Sequence, residues 1–301
     1  MSQTADRPFL GIMLMLAFCV LAPLGDSMAK LLGGTVSLNM LVFVRFAVQA
    51  ILLAPLVWHS GMGFTLPKGT LHWTLLRTAL HIAGIGLMFS ALRYLPLADA
   101  LAIAFVMPFI MLILGHFVMG EVVGKHRMIA CMIGFIGTLL VIQPNFVEVG
   151  PPALLPLGVA LVFALFMMVT RKIAQQIDAV KLQAISGLQA CALLFPVIMF
   201  KSAEITALDS GAIAMLLVLG VIGTLAHLFM TWSLRFAPAS TLAPMQYLEI
   251  PFGTAIGWAV FADLPNGLAT IGIFITMAAG LYVIIREGRL SVQATKAPPA
   301  S

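Results

Sequence analysis

Glu249 lies in Ala243-Pro244-Met245-Gln246-Tyr247-Leu248-Glu249-Ile250-Pro251, an otherwise apolar stretch bracketed by two prolines. A carboxylate among apolar neighbours is costly unless it lines water or meets a partner, and prolines free backbone carbonyls around it. The chemistry this allows is binding of a polar substrate group, or of a proton, at a central cavity; a buried ion-pair strut is the alternative. Gln246, three residues before it, is a helical neighbour, and Tyr247 adds a hydroxyl and a ring. Arg45 sits about 10 Å from the nearer end of its apolar segment by helix rise, which calls for a carboxylate or cavity water beside it, or else makes it an orientation anchor. Arg77 reads as such an anchor. His81, four residues on, shares its face as either a packing residue or a site residue, and His227, with Thr224 before it and Trp232 after it, is a candidate cavity-lining group. Asp26 and Lys30 are spaced for an i,i+4 pair, which is either a local salt bridge or part of a gate or coupling site. Phe105, Trp232 and Tyr247 offer stacking surface for a planar ligand, as do Phe109 and Trp258.

Six His and three Cys are too few and too scattered for a metal framework, so no metal or cofactor is expected, and Cys19, Cys131 and Cys191 each fall inside apolar runs. GxxxxGK[ST], HExxH and GxSxG are absent. An intramembrane enzyme would need Asp26, Glu249 and a His to converge as an acid and base pair, and is the minor alternative. A channel fits less well than a carrier that opens to each side in turn.

The elements that would position these residues follow from composition. Only 9% of the 301 residues are charged, 61% are apolar and the mean hydropathy is +1.10. Such a chain is made for lipid, where a spanning helix takes ~20 apolar residues. Glycine, proline and charge divide it into ten apolar segments, 8–32, 38–58, 71–92, 98–119, 128–143, 153–170, 183–200, 211–233, 241–262 and 268–285. The first resembles a signal peptide but lacks a small-residue cleavage site and reads as a span. With a cytoplasmic N-terminus, 11 Lys and Arg fall on the inner side (Arg7, Lys68, Lys125, Arg127, Arg171, Lys172, Lys181, Arg235, Arg286, Arg289, Lys296). Three fall outside (Lys30, Arg93, Lys201). This asymmetry places both termini in the cytoplasm and accounts for the net charge of +5 without nucleic acid.

The two halves resemble each other. Leu92-Arg93-Tyr94-Leu95-Pro96 recurs as Leu234-Arg235-Phe236-Ala237-Pro238, Pro108-Phe109 as Pro251-Phe252, and Gly137 as Gly280, at offsets of 142 or 143 residues. Five spans per half makes the repeats inverted in the membrane, and the matched Pro108 and Pro251 would interrupt both helices near the bilayer middle, where transporters place their sites. The expected fold is an all-α integral membrane protein of ten transmembrane helices in two inverted five-helix repeats, 8–143 and 153–286, followed by a disordered cytoplasmic tail over 287–301. The Ala91–Ala100 segment leading to Pro108, the Gly120-Glu121 turn and Gly134–Pro144 together resemble the EamA family of the drug/metabolite transporter superfamily, over about residues 8 to 286. The second half departs from the pattern with Ala262-Asp263-Leu264 where Gly-Glu is usual. That resemblance implies a secondary transporter in the bacterial inner membrane. It takes a small-molecule substrate and no nucleic acid, and a homodimer is compatible with it. The wording around Met107 to Gly158, including QPNF, is most similar to the riboflavin-uptake branch, which implies riboflavin as cargo; export of amino acids or other small metabolites is the alternative.

Overall fold

A computed structural model describes residues 7–142, 150–199, 208–262 and 266–296. The QPNF segment, Asp263 and residues 297–301 fall outside these. The described residues form twelve α-helices: α1 Pro8–Leu32, α2 Leu38–His59, α3 Leu71–Ala91, α4 Leu97–Ala104, α5 Met107–Met119, α6 Lys125–Ile142, α7 Leu154–Ala174, α8 Ala179–Met199, α9 Ser210–Phe236, α10 Ala239–Leu242, α11 Glu249–Phe261 and α12 Gly267–Lys296. Short 3-10 segments cover Pro151–Ala153 and Ala243–Leu248. Seven helices are long and apolar enough to cross a membrane, namely α1, α2, α3, α7, α8, α9 and α12. The chain is an all-helical, multi-pass membrane protein, because only helices that satisfy their own backbone can lie in hydrocarbon.

The helices pair in a regular way: α1 lies along α9, α3 along α7, α2 along α8, α6 along α12, while α5 packs on α7 and α11 on α1. Small residues set two of these distances. A Cβ at Gly187 of α8 would come within 2.9 Å of the Ala50 nitrogen, and one at Gly137 of α6 within 2.8 Å of the Gly272 oxygen. Such backbone proximity is how helices associate without a hydrophobic drive between them.

Contacts at helix ends define two faces. On the face where α1 begins, the Arg7 nitrogen donates to Phe236 O at 2.7 Å, Arg171 to Leu234 O at 2.9 Å and Lys181 to Met62 O at 3.3 Å. Arg127 bridges to Glu287 and to Ser240, each at 3.3 Å. On the opposite face Lys30 donates to Leu95 O at 2.8 Å and Arg93 to Val36 O at 2.9 Å.

Two of the expected spans are broken. The segment expected at 98–119 is split into α4 and α5 at Phe105 and Val106, and that at 241–262 runs as α10, a 3-10 stretch and α11. Pro108 is the second residue of α5 and Pro251 the third of α11. A proline in the first turn has no hydrogen bond to lose, so each interruption falls just before its proline rather than at it. After α5, Gly120 turns left-handed at φ 66°. Ala262, 142 residues later, takes the same conformation at φ 57° after α11, with no glycine there to favour it.

The tail expected to be disordered from residue 287 begins instead as helix, since α12 continues to Lys296. Glu287 is buried and paired with Arg127 and Arg286, at 3.3 and 3.1 Å, which ties that extension to the start of α6.

Candidate functional site

Glu249 is the first residue of α11, so the break in that span delivers its carboxylate into the protein interior. It opens on a cavity of about 70 Å³ shared with Asp26 of α1, Arg45 of α2, Phe105 after α4 and His227 of α9. Phe18, Phe89 and Phe163 complete an aromatic wall. The volume holds on the order of five waters. A metabolite-sized ligand needs several hundred Å³, so the cavity must expand to take one.

Arg45 is the best-anchored group. One of its terminal nitrogens donates to the Gly223 carbonyl at 3.0 Å and to His227 Nδ1 at 2.8 Å, and the other reaches Gln49 Oε1 at 3.5 Å. His227 Nδ1 also lies 3.2 Å from Gly223 O. A guanidinium has no acceptor, so Nδ1 must accept from Arg45 and the imidazole proton sits on Nε2. Among the described residues Nε2 has no partner. Gln49 continues the network, donating to Gln183 O at 2.8 Å and Oε1 at 3.1 Å, and Gln183 donates to Thr231 at 3.0 Å. Arg45 is therefore held by a carbonyl, an imidazole and an amide, and enters no ion pair among the described residues. Glu249 and Asp26 likewise enter no ion pair among the described residues. Two carboxylates and one guanidinium thus share one small aromatic-walled space, where charge is worth most.

The structure brings Glu249, Arg45, His227, Phe105 and Asp26 together, and leaves the other candidates elsewhere. Gln246 is buried one layer back, its amide on the sulfurs of Met111 and Met167 at 3.0 and 3.4 Å, with Met167 standing between it and the cavity. Tyr247 is wedged against Gly134 of α6, its ring 5.8 Å from Phe105, and its hydroxyl has no partner among the described residues. Trp232 packs on Phe229 instead of the cavity, because five residues on a helix is about 140° round from His227. His81 lies behind His227, stacked on it at 4.4 Å and on Phe166 at 4.5 Å. Lys30 does not close on Asp26: its ammonium meets Leu95 O and lies 5.3 Å from the Phe261 ring centre, tying α1 to the far face. Pro108 and Pro251 shape the breaks without lining the cavity.

Several residues were not foreseen. Gln49 was legible, being four residues from Arg45 on the same face. The rings of Phe18, Phe89 and Phe163 were not, since twenty phenylalanines in an apolar chain carry no address. Arg77 is no surface anchor: it is fully buried, donating to Thr170, Ser186 and Thr231. Glu121, of the Gly120 turn, caps the start of α10, accepting from the Ala239 and Ser240 nitrogens at 3.1 and 2.8 Å.

A multi-pass helical membrane protein with broken helices around a buried charged cavity is the class these features define. The sequence profile of the EamA-like transporter family matches residues 9–143 and again 151–286, and the chain belongs to that family. Over 263 residues it is 26% identical to an S-adenosylmethionine uptake transporter of Rickettsia felis, covering 87% of this chain and 88% of that one. It is 27% identical to a riboflavin transporter of Brucella anthropi, covering 83% and 89%, and 21% identical to a pseudopaline exporter of Pseudomonas aeruginosa, covering 86% and 88%. A solved crystal structure matches with a TM-score of 0.67 at 19% identity, over 92% of this chain and 96% of its own, a likeness of fold.

Proposed function

We propose that the chain is a secondary transporter that moves a small metabolite by alternating access, its two halves rocking about the Glu249–Arg45 cavity. The helix pairing supports an inverted repeat. Exchanging halves (α1 with α7, α2 with α8, α3 with α9, α5 with α11, α6 with α12) turns the α1–α9 contact into α7–α3 and α5–α7 into α11–α1, and maps α2–α8 and α6–α12 onto themselves. The matched turns at Gly120 and Ala262 and the two broken spans agree with ten crossings. The basic face, where α1 begins, is the cytoplasmic one of the bacterial inner membrane.

The charge set of the cavity carries the substrate reading. Asp26 and Glu249 match two positive centres, Arg45 matches a carboxylate, and the phenylalanines match an aromatic ring. S-adenosylmethionine presents a sulfonium, an ammonium, a carboxylate and an adenine, and is the cargo we favour. Riboflavin uptake is the second reading, supported by the aromatic wall, on which a neutral tricyclic ring would stack while its ribityl hydroxyls bond to the carboxylates. Uptake of each labelled compound into vesicles containing the protein separates them: S-adenosylmethionine should accumulate in excess of empty vesicles. Riboflavin uptake alone would overturn the first choice, and uptake of neither would overturn both.

A further inference from the structure

Arg77 lies between the cavity and the face where α1 begins. On α3 the cavity is lined by Ile85, Met88 and Phe89, and Arg77 lies two turns back toward Leu71. On α7 Met167 lines it and Thr170 lies one turn further toward the helix end at Ala174. On α9 His227 lines it and Thr231 lies one turn beyond. Arg77 Nε donates to Thr170 Oγ1 at 2.9 Å, and its two terminal nitrogens donate to Ser186 Oγ at 2.6 Å and Thr231 Oγ1 at 3.1 Å. The guanidinium also sits 4.7 Å from the Phe166 ring centre. No carboxylate among the described residues pairs with it. Beside it, Thr78 and Thr74 of α3 clasp Gln189 of α8, at 2.7 and 3.1 Å.

Resting on the alternating-access reading, we propose that Arg77 is the latch of the inner gate: one guanidinium on α3 that ties α7, α8 and α9 together beneath the cavity and must let go for the solute to leave inward. The three acceptors belong to three different helices, all of them in the opposite half to α3, so a splaying of α3 from any of these helices on this face separates at least one acceptor from the cation. Hydroxyls suit such a latch. They satisfy the guanidinium well enough to hold it, yet lack the charge that would make a buried carboxylate pair costly to break. Release also bares a positive group on the exit path, a ready partner for an anionic end leaving Arg45.

The test uses the full chain in membranes, with the three native cysteines replaced by alanine and a single thiol supplied in turn by Ala174→Cys, below the latch, or Ala22→Cys, on the cavity wall. A membrane-impermeant maleimide is added from one side at a time. With Arg77→Gln, labelling at the first site from the cytoplasmic side should rise about tenfold or more, the equivalent of one lost bond to a charged group. Labelling at the second site from outside should fall by a similar factor. Thr170→Val with Ser186→Ala, which keeps the cation, should move both in the same directions and decides the matter if Arg77→Gln does not accumulate. Labelling that rises at both sites means general loosening, and labelling that changes at neither means an inert strut; each overturns the latch. Because the readout needs no solute, a protein that transports nothing but shows the reciprocal shift refutes the transport reading and leaves the gate standing.

Discussion

Adding one methyl group at Gly223 displaces the central cation without touching its charge. A Cβ there would stand 2.8 Å from Arg45 Nε, 3.1 Å from Cζ and 3.2 Å from the terminal nitrogen, and Arg45 is 2% exposed, with no solvent to swing into. The guanidinium must shift by several tenths of an ångström, which breaks its bond to His227 at 2.8 Å or to Gly223 O at 3.0 Å. Overpacking costs about 1–3 kcal/mol. Replacing a mid-helix glycine by alanine returns ~1 kcal/mol, so Gly223→Ala should fold. A bond to a charged group contributes about 1.5–3 kcal/mol, so misplacing Arg45 should weaken binding of a carboxylate-bearing solute roughly 10- to 150-fold. Titration of purified protein with S-adenosylmethionine reads this directly, with Gly86→Ala as control because a Cβ there meets nothing within 4 Å. An affinity within about twofold of the unaltered protein, alongside a lowered melting point, would refute Arg45 as a recognition group and leave it a strut.

Glu249→Gln keeps the shape and removes one carboxylate from the cavity; S-adenosylmethionine affinity should fall about 10- to 100-fold and riboflavin affinity by a much smaller factor, since the amide oxygen still accepts from a ribityl hydroxyl, as measured by the same titration. Glu121→Gln removes the charge from a cap that holds two backbone donors of α10, and should lower stability by about 1–2 kcal/mol in a thermal or denaturant unfolding series in detergent. Ala262→Gly relieves a left-handed alanine and should stabilise by ~1 kcal/mol in the same series; a loss of stability would contradict the turn geometry.

The sequence carried the architecture well because lipid imposes coarse rules. Helix ends at Leu32, Leu38 and Leu71 match the expected spans, since irregular backbone and unpaired charge cannot face hydrocarbon and so mark where an apolar run must stop. It carried the site less well. Depth identified Glu249, Arg45 and His227, because an ionisable group far from an end has few places to go. Direction was lost for Gln246 and Tyr247, which share a short 3-10 stretch whose facing depends on the Met111, Gly134 and Met167 that α5, α6 and α7 place against it. Arg77 was misread because distance from a helix end in sequence says nothing about whether neighbouring helices extend further and cover it. The hydroxyls that satisfy it, Thr170, Ser186 and Thr231, come from three separate segments, and only tertiary structure assembles them. Ala262 shows the converse, a left-handed turn held by its surroundings at a residue that does not favour it.

A single cavity opened to each side in turn makes a specific kinetic demand, which counterflow measures. Vesicles containing the protein are loaded with unlabelled S-adenosylmethionine, diluted into a trace of labelled compound, and sampled over time, with riboflavin run in parallel. Alternating access predicts that the label enters faster than into vesicles without internal solute and transiently overshoots equilibrium, because loaded carriers return faster. It also predicts that Glu249→Gln abolishes the overshoot for the cation. Entry of label at the same rate with or without internal solute would be the behaviour of a pore, and would contradict alternating access around this site.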